Sequence, residues 1–387
     1  MTQRRSMLSL SVYFASFVGL GLSVSCLGPT LPSLAAVTGT SLAQIGILLF
    51  ARSLGGMIGS LCAGPAVDHG LGRATIVGSM IVMSASMAIV PFSHSWIPMA
   101  IIFLALGVGH GALNVAANTL IVWRYPDKAH SFLSMLHFCF GLGSVVAPLL
   151  VAWLLPLGGN GLLVYVLLAA ALAPLVLWLA TSAVPTAQRE KRVIQAPITS
   201  RAAFWWSVLL FALFVGAETT MGSWLYSYAE QGIAFSPATA AYLVSVFWGA
   251  FTFGRLLTVF GSGVMRPSTY VSGGLAASAV LAAGFVVFRG GGLFLWIVVA
   301  GLGLSMAAVF PQAFAFVSES LGITGRRTAW LLLGGSFGGM LMPWLAGILL
   351  DSISAQAMPI IVSLAMAVAL VVFTAIQRMS QATSPTS

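Results

Sequence analysis

Charged side chains inside long apolar segments are the residues of this sequence most able to do chemistry. Glu218 lies about fifteen residues into the segment 203–229, near the middle of a helix long enough to cross a bilayer. A carboxylate at that depth can bind a proton, hydrogen-bond a solute hydroxyl, or form a structural pair with an arginine. Arg52 lies in the middle of the segment 42–63, with no acidic residue near it in sequence. It can meet Glu218 or an oxygen atom of a solute.

Neutral polar residues add a second group of candidates. His110, Asn114 and Asn118 are spaced four residues apart, so in a helix they share one face. Amides and a neutral imidazole donate and accept hydrogen bonds and can recognise solute hydroxyls, although such groups also join helices inside membranes. Trp224 can stack on a pyranose ring or lie at the membrane interface. His137 is either linked to proton movement or a packing contact.

The composition identifies lipid as the solvent for most of the chain. Of 387 residues, 59% are hydrophobic and 6% are charged, whereas a soluble domain has about 25% charged residues. These values exclude a cytosolic enzyme, a disordered protein and a secreted disulfide scaffold. The three cysteines lie in apolar segments, and there is no metal-binding spacing, phosphate-binding loop or catalytic constellation. We therefore expect no metal, no cofactor and no enzymatic activity.

The apolar segments predict an all-α membrane protein with twelve transmembrane helices. Each segment is close to the roughly 20 residues that a span needs, and a helix satisfies its own backbone hydrogen bonds in lipid. Short loops make neighbouring helices antiparallel. The predicted spans are 7–28, 42–63, 74–92, 97–123, 131–155, 161–181, 203–229, 238–262, 269–288, 293–318, 327–350 and 357–377.

Basic residues predict the orientation of these spans. If the N-terminus is cytoplasmic, thirteen of the sixteen Lys and Arg residues fall on the cytoplasmic side, while Arg52 and Arg255 lie in spans and Arg289 lies outside. This positive-inside pattern places both termini in the cytoplasm of a bacterial-type inner membrane. It also explains the net charge of +9 without a nucleic-acid partner.

The two halves of the sequence resemble each other at an offset of about 195 residues. Duplicated six-helix halves predict two pseudo-symmetric bundles, with the substrate site between them. We assign residues 1–183 to the first bundle, 184–202 to a cytoplasmic linker and 203–387 to the second bundle. The matched pairs are 17–19 with 214–216, 107–109 with 301–303, and Gly143 and Pro148 with Gly338 and Pro343.

The loop after the second span resembles the major facilitator signature G-x-x-x-D-R-x-G-R-K. Its matching residues are Gly64, Asp68, Gly72 and Arg73, while His69 and Ala74 replace basic residues of the signature. The resemblance implies a cytoplasmic gate built on Asp68 and Arg73, with the glycines permitting a tight turn and close helix approach. Arg255 can join this gate by pairing with Glu319 or with backbone.

Four stretches resemble the fucose/glucose–proton symporter branch of the major facilitators. That resemblance implies sugar uptake coupled to protons, with two bundles rocking around a central site. This chain departs from the branch in its fourth span, where the branch commonly has Asp-x-x-x-Asn. Asn118 matches, but Asn114 replaces the acid, and an amide cannot carry a proton. The four stretches are 136–148, 214–224, 248–255 and 338–347.

The interpretation is a secondary transporter that takes up a small polar solute, a sugar, with protons. We expect the chain to act as a monomer in the bilayer. The alternative is a proton-coupled efflux antiporter of drugs or metabolites, because Gly143 and Pro148 partly match the glycine and proline signature of antiporters. Leu149 and Leu150 follow where that signature has glycines. A non-transporting sensor or scaffold of the same fold is the third reading.

Overall fold

The computed structural model describes residues 2–125, 128–155, 161–181, 201–260, 265–287, 292–321 and 325–382. Within these ranges the chain is helical and contains no β-strand. The predicted linker 184–202 lies almost entirely outside the described residues, and only its last two positions fall within them. The helices are α1 (Thr2–Ser25), α2 (Leu27–Thr38), α3 (Leu42–Ile45), α4 (Ile47–Asp68), α5 (Gly72–Ile89), α6 (Trp96–Arg124), α7 (Ala129–Leu154), α8 (Leu163–Thr181), α9 (Arg201–Ser227), α10 (Pro237–Phe260), α11 (Pro267–Val287), α12 (Leu293–Ala307), α13 (Val309–Leu321), α14 (Gly325–Ser352) and α15 (Ala357–Ala382).

The helices of the described ranges confirm the predicted membrane spans. Eleven are long and apolar enough to cross a membrane, and a twelfth span forms if the bent pair α1 and α2 is counted as one. The predicted bounds differ from the observed ones by a few residues, except at the first span. The chain is therefore an integral multi-pass membrane protein with an all-α fold.

The first span is longer than predicted and is broken. The prediction ended it at residue 28, whereas α2 continues to Thr38 after a bend of 47° next to Cys26. Two prolines explain the break, because neither can donate the backbone hydrogen bond of a regular helix. Pro29 removes the bond to the carbonyl of Ser25, and Pro32 lies inside α2. Proline is the usual cause of a sharp kink.

Contacts divide the chain into two compact units. The first unit comprises Met1–Lys191 with Ser236–Ser245, and the second comprises Arg192–Phe235 with Val246–Ser387. In the first unit, α1 packs on α7 and α4 packs on α6; in the second, α9 packs on α14 and α15. Each unit buries its own apolar core.

Glycines set the closest helix crossings inside each unit, and these crossings repeat. In the first unit a Cβ on Gly143 would overlap the backbone of Val18, and in the second a Cβ on Gly338 would overlap the backbone of Ala212. Small residues at such crossings let two helix backbones touch inside a membrane. The pairing of Gly143 with Gly338 predicted from sequence therefore matches equivalent contacts.

A second pair of crossings corrects the register of the other sequence matches. A Cβ on Gly107 would overlap the backbone of Arg52, and a Cβ on Gly303 would overlap the backbone of Phe247. The sequence match of 107–109 with 301–303 paired Gly107 with Gly301. The crossings show that Gly107 is equivalent to Gly303 instead. The crossing of Val18 and Ala212 likewise shifts the match of 17–19 with 214–216 by three residues.

Candidate functional site

The first unit contains a cluster of polar side chains, and Ser23 and His110 form a hydrogen-bonded pair within it. Both side chains are buried. The Ser23 hydroxyl donates to the Leu20 carbonyl oxygen (2.9 Å) and lies 2.8 Å from His110 Nε2. A hydroxyl carries only one hydrogen. With that hydrogen on Leu20, His110 Nε2–H must donate to Ser23, which fixes the imidazole on α6 against α1.

Arg52 on α4 is the charged member of the same cluster. It interacts electrostatically with Cys26 and Tyr165 and with His110. Its Nε atom is buried without a hydrogen-bond partner, and across the described ranges no hydrogen bond or ion pair reaches its guanidinium. Arg52 therefore has a buried donor without a partner, and no carboxylate is among the described groups that interact with it.

A threonine and a tyrosine complete the cluster beside the break between α1 and α2. The Thr30 hydroxyl donates to the Cys26 carbonyl oxygen (2.9 Å), so it accepts from the Tyr165 hydroxyl, which lies 2.8 Å away. Ser23, Thr30 and Tyr165 were missed by the sequence analysis because hydroxyls are common in apolar spans. The sequence did contain one indication of this cluster. Ser23 and Thr30 are seven residues apart, so in a helix they would lie on the same face of the first span. We call Ser23, Cys26, Thr30, Arg52, His110 and Tyr165 the Arg52 cluster.

The predicted stripe on α6 divides into two parts. His110 is buried against Ser23, whereas Asn114 is exposed and Asn118 is partly exposed. Asn118 Nδ2 donates to the Asn114 side-chain oxygen (2.7 Å) and backbone oxygen (2.8 Å). The structure thus joins the two amides to each other and gives the histidine a different role. His137, on α7, packs edge-on against Phe17 with ring centroids 5.9 Å apart.

Glu218 on α9 and Arg255 on α10 are charged residues inside predicted spans of the second unit. They interact electrostatically with each other, and Arg255 also lies over the Phe251 ring at 4.5 Å. In the described part of the chain no hydrogen bond occupies the Glu218 carboxylate, and both side chains are partly exposed. Glu319 is an exposed residue of α13, and the acid that interacts with Arg255 in the described ranges is Glu218. The pairing of Arg255 with Glu319 stays a prediction.

The predicted role of Trp224 as a stacking surface for a sugar is not seen in this conformation. Trp224 has no exposed surface, and its indole Nε1 donates to the Pro343 carbonyl oxygen at 2.7 Å. A Cβ on Gly347 would strike the same ring. Trp224 therefore ties α9 to α14. Gly222, four residues after Glu218, makes room for the Trp248 ring, which lies 2.7 Å from a Cβ built there.

The loop between α4 and α5 places the predicted gate residues. Asp68 is the last residue of α4 and is exposed. Arg73 Nη2 donates to the Ala180 carbonyl oxygen (2.7 Å) at the end of α8. Gly72 lies against Leu120, 2.9 Å from a Cβ built on it. These contacts hold the turn against α6 and α8.

The tight turn predicted at Gly64 is made by a different glycine of this loop. Gly64 lies inside α4, and nothing is within 4 Å of a Cβ built on it. The tight turn is instead made by Gly70, whose φ of 81° is costly for residues with a Cβ. Gly64 therefore provides neither the turn nor a close helix approach.

Comparison with known proteins agrees with the helical architecture. The chain is 28% identical over 375 residues to the sodium-dependent glucose transporter 1A of Mus musculus, covering 87% of this chain and 88% of that protein. The nucleoside transporter NupG superposes with a TM-score of 0.76 at 17% identity, covering 95% of this chain and 99% of NupG. The fucose:proton symporter FucP of E. coli superposes with a TM-score of 0.65 at 17% identity, covering 97% of this chain and 98% of FucP. Residues 13–325 match the family model of the Major Facilitator Superfamily. This chain belongs to the Major Facilitator Superfamily.

Proposed function

We propose that this membrane transporter takes up a sugar together with protons by alternating access, and that Glu218 carries the proton or binds the sugar. The family members similar to it by sequence or fold are transporters and not enzymes. The names of the mouse relative and of FucP, a glucose transporter and a fucose:proton symporter, support a sugar as the solute. The two names differ in the coupling ion, because the mouse relative is named as sodium-dependent and FucP as a proton symporter. We propose protons because Glu218 can bind one.

The observation that carries the proposal is the Glu218 carboxylate, which interacts electrostatically with Arg255 and has no hydrogen bond in the described ranges. A charged side chain at the centre of a membrane costs about 3 kcal/mol on insertion scales, so an acid there needs a compensating role. Arg255 compensates the charge, while no hydrogen bond in the described ranges restrains the carboxylate. A proton or a sugar hydroxyl can therefore bind to it. Since Asn114 cannot exchange a proton, Glu218 is our candidate for the coupling residue.

The structure supports some of the remaining predicted site residues more than others. Asn114 and Asn118 offer exposed amide groups for solute hydroxyls, whereas His110 is engaged with Ser23. Asp68 and Arg73 are proposed as gate residues on the loop signature. We further propose a monomer in a bacterial-type inner membrane with both termini cytoplasmic, on the distribution of Lys and Arg.

The test is solute-triggered proton movement in proteoliposomes that contain the full chain. The panel comprises hexoses, deoxyhexoses, hexuronates and cationic drugs. We expect external alkalinisation when one sugar is added, and loss of this signal in Glu218→Gln, which cannot bind a proton. Glu230→Gln is the matched control, because Glu230 is a partly exposed acid just beyond the same helix. Unchanged proton-coupled uptake by Glu218→Gln would refute the coupling role.

The efflux alternative has less support than uptake. Its sequence argument was Gly143 with Pro148, and Gly143 is required for the close crossing of α7 with α1. The same experiment separates the two functions, because drug-driven proton release from preloaded vesicles with no response to sugars would favour efflux.

A further inference from the structure

The two units treat their membrane-embedded arginines differently. Arg255 has Glu218 as an electrostatic partner, whereas the titratable groups near enough to feel the charge of Arg52 are Cys26, Tyr165 and His110. None of these three supplies the negative charge of a carboxylate. In the described ranges Arg52 is thus a cation without an acidic counter-ion. Charged groups inside membranes almost always pair or face a substrate pathway.

The fold itself does not require a charge at this position. The backbone of Arg52 forms the crossing with Gly107, and the backbone of Phe247 forms the equivalent crossing with Gly303. Phe247 is fully buried, so an apolar side chain serves the same helix contact in the second unit. Helix packing therefore leaves the guanidinium of Arg52 unexplained.

The surroundings of Arg52 favour a negative group. Its guanidinium has five N–H donors, with Nε buried and unpartnered. Cys26, with which it interacts, occupies the break immediately before α2. α1 ends at Ser25 and α2 begins at Leu27, so the helix termini of opposite sign largely cancel at this break, and Arg52 supplies the positive charge. An arginine with an unpartnered donor is suited to bind an anion such as a carboxylate.

We propose that the Arg52 cluster binds a monovalent anion during transport. The anion is either the carboxylate of the solute, which makes the solute a sugar acid such as a hexuronate, or a chloride ion that binds with a neutral sugar. Arginine matches a carboxylate with two parallel hydrogen bonds. The inference rests on the proposed function, because it specifies the class of solute that the transporter takes up.

The experiment measures initial uptake of radiolabelled glucuronate and glucose by full-length protein in proteoliposomes, with chloride or with sulfate as the bulk anion. If the carboxylate belongs to the solute, the wild type takes up glucuronate at least tenfold faster than glucose in either salt. If chloride is the anion, chloride raises glucose uptake several-fold. Arg52→Met abolishes whichever effect is present, and Arg52→Lys, which keeps a point charge, retains part of it.

Arg124→Met is the matched control. Arg124 also has a buried Nε atom without a partner, but it lies at the end of α6 over the Tyr125 ring at 5.8 Å. Its replacement should leave both the glucuronate preference and the chloride effect unchanged. Glucuronate or chloride should also raise the Tm of the wild type in detergent, a result that does not depend on any variant folding.

Two failures are distinguishable. Wild-type protein that takes up glucose without a chloride effect, and ignores glucuronate, refutes the anion site while leaving sugar transport intact. Wild-type protein that transports neither solute, nor any other sugar of the panel, refutes the proposed function itself. Arg52→Met protein with wild-type glucuronate preference and chloride response would also refute the anion site.

Discussion

Replacing Gly338 with alanine should destabilise the second unit, because two helix backbones meet at this residue. A methyl group built on Gly338 lies 2.5 Å from the carbonyl carbon of Ala212 and 2.8 Å from its Cα, where ordinary contact begins at 3.4 Å. The obstructing atoms belong to the backbone of α9, so no side-chain rotation removes the overlap. The carbonyl oxygen of Ala212 lies nearer still, so α9 and α14 must separate locally by more than about 0.9 Å.

The expected cost follows from this separation. Overpacking a well-packed interior costs about 1–3 kcal/mol, and a backbone obstruction belongs at the upper end of that range. Alanine regains up to about 1 kcal/mol over glycine inside a helix. The net loss of about 2 kcal/mol corresponds to a Tm lower by about 4–8 °C for a unit of this size.

The assay is thermal unfolding of the purified protein in detergent. Gly273→Ala on α11 is the control, since nothing lies within 4 Å of a Cβ there, and we expect its Tm to stay level or rise by about 2 °C. Gly143→Ala should lower the Tm as Gly338→Ala does, because its Cβ would lie 2.8 Å from the backbone nitrogen of Leu22. A Tm for Gly338→Ala at or above the wild-type value would refute the reasoning.

Two further predictions concern residues whose roles the structure reassigned. Gly70→Ala should lower the Tm by the equivalent of about 1 kcal/mol because of its left-handed backbone, while Gly64→Ala should leave the Tm level or slightly raised; equal losses for both would contradict the assignment of the turn to Gly70. Trp224→Phe should remove the hydrogen bond to Pro343 and cost about 1–2 kcal/mol, seen as a lower Tm with the solute KM unchanged. A higher KM at an unchanged Tm would instead support stacking of Trp224 on the sugar.

Most of the fold could be predicted from the sequence because the length of an apolar run sets the length of a span. The first span was the exception. An apolar run that contains Pro29 and Pro32 reads the same whether it ends or bends at the prolines. Only the packing of α2, with Thr30 bonded to Tyr165, shows that the helix continues beyond the bend.

The candidate site could be predicted only in part. Glu218 and Arg52 stand out because charges are rare in apolar spans, and their positions need no tertiary information. Their partners do need it, since Arg255 is far from Glu218 in sequence and competed with Glu319 as a partner. Trp224 shows the same limit: an aromatic residue near an acid suggests a binding surface, but the small Gly347 beneath its ring was recognisable as its partner only in the folded unit.

The repeat gives a reason to treat the polar residues of the two units as separate specialisations. Equivalent crossings pair Arg52 of α4 with Phe247 of α10, and Val18 of α1 with Ala212 of α9. The first offset carries Arg255 to Ser60, and the second carries Glu218 to Val24. The break next to Cys26 is likewise confined to the first unit, because α9 continues unbroken from Arg201 to Ser227.

Glycine crossings are thus shared by both units, whereas none of these three charged residues has a charged equivalent. Shared features satisfy the common requirement of helix packing in lipid. Charges carry a desolvation cost that packing does not require, so their unequal distribution indicates binding. By this argument the acid with its arginine in the second unit, and the arginine without an acid in the first, are the residues of each unit to test for binding before any packing residue.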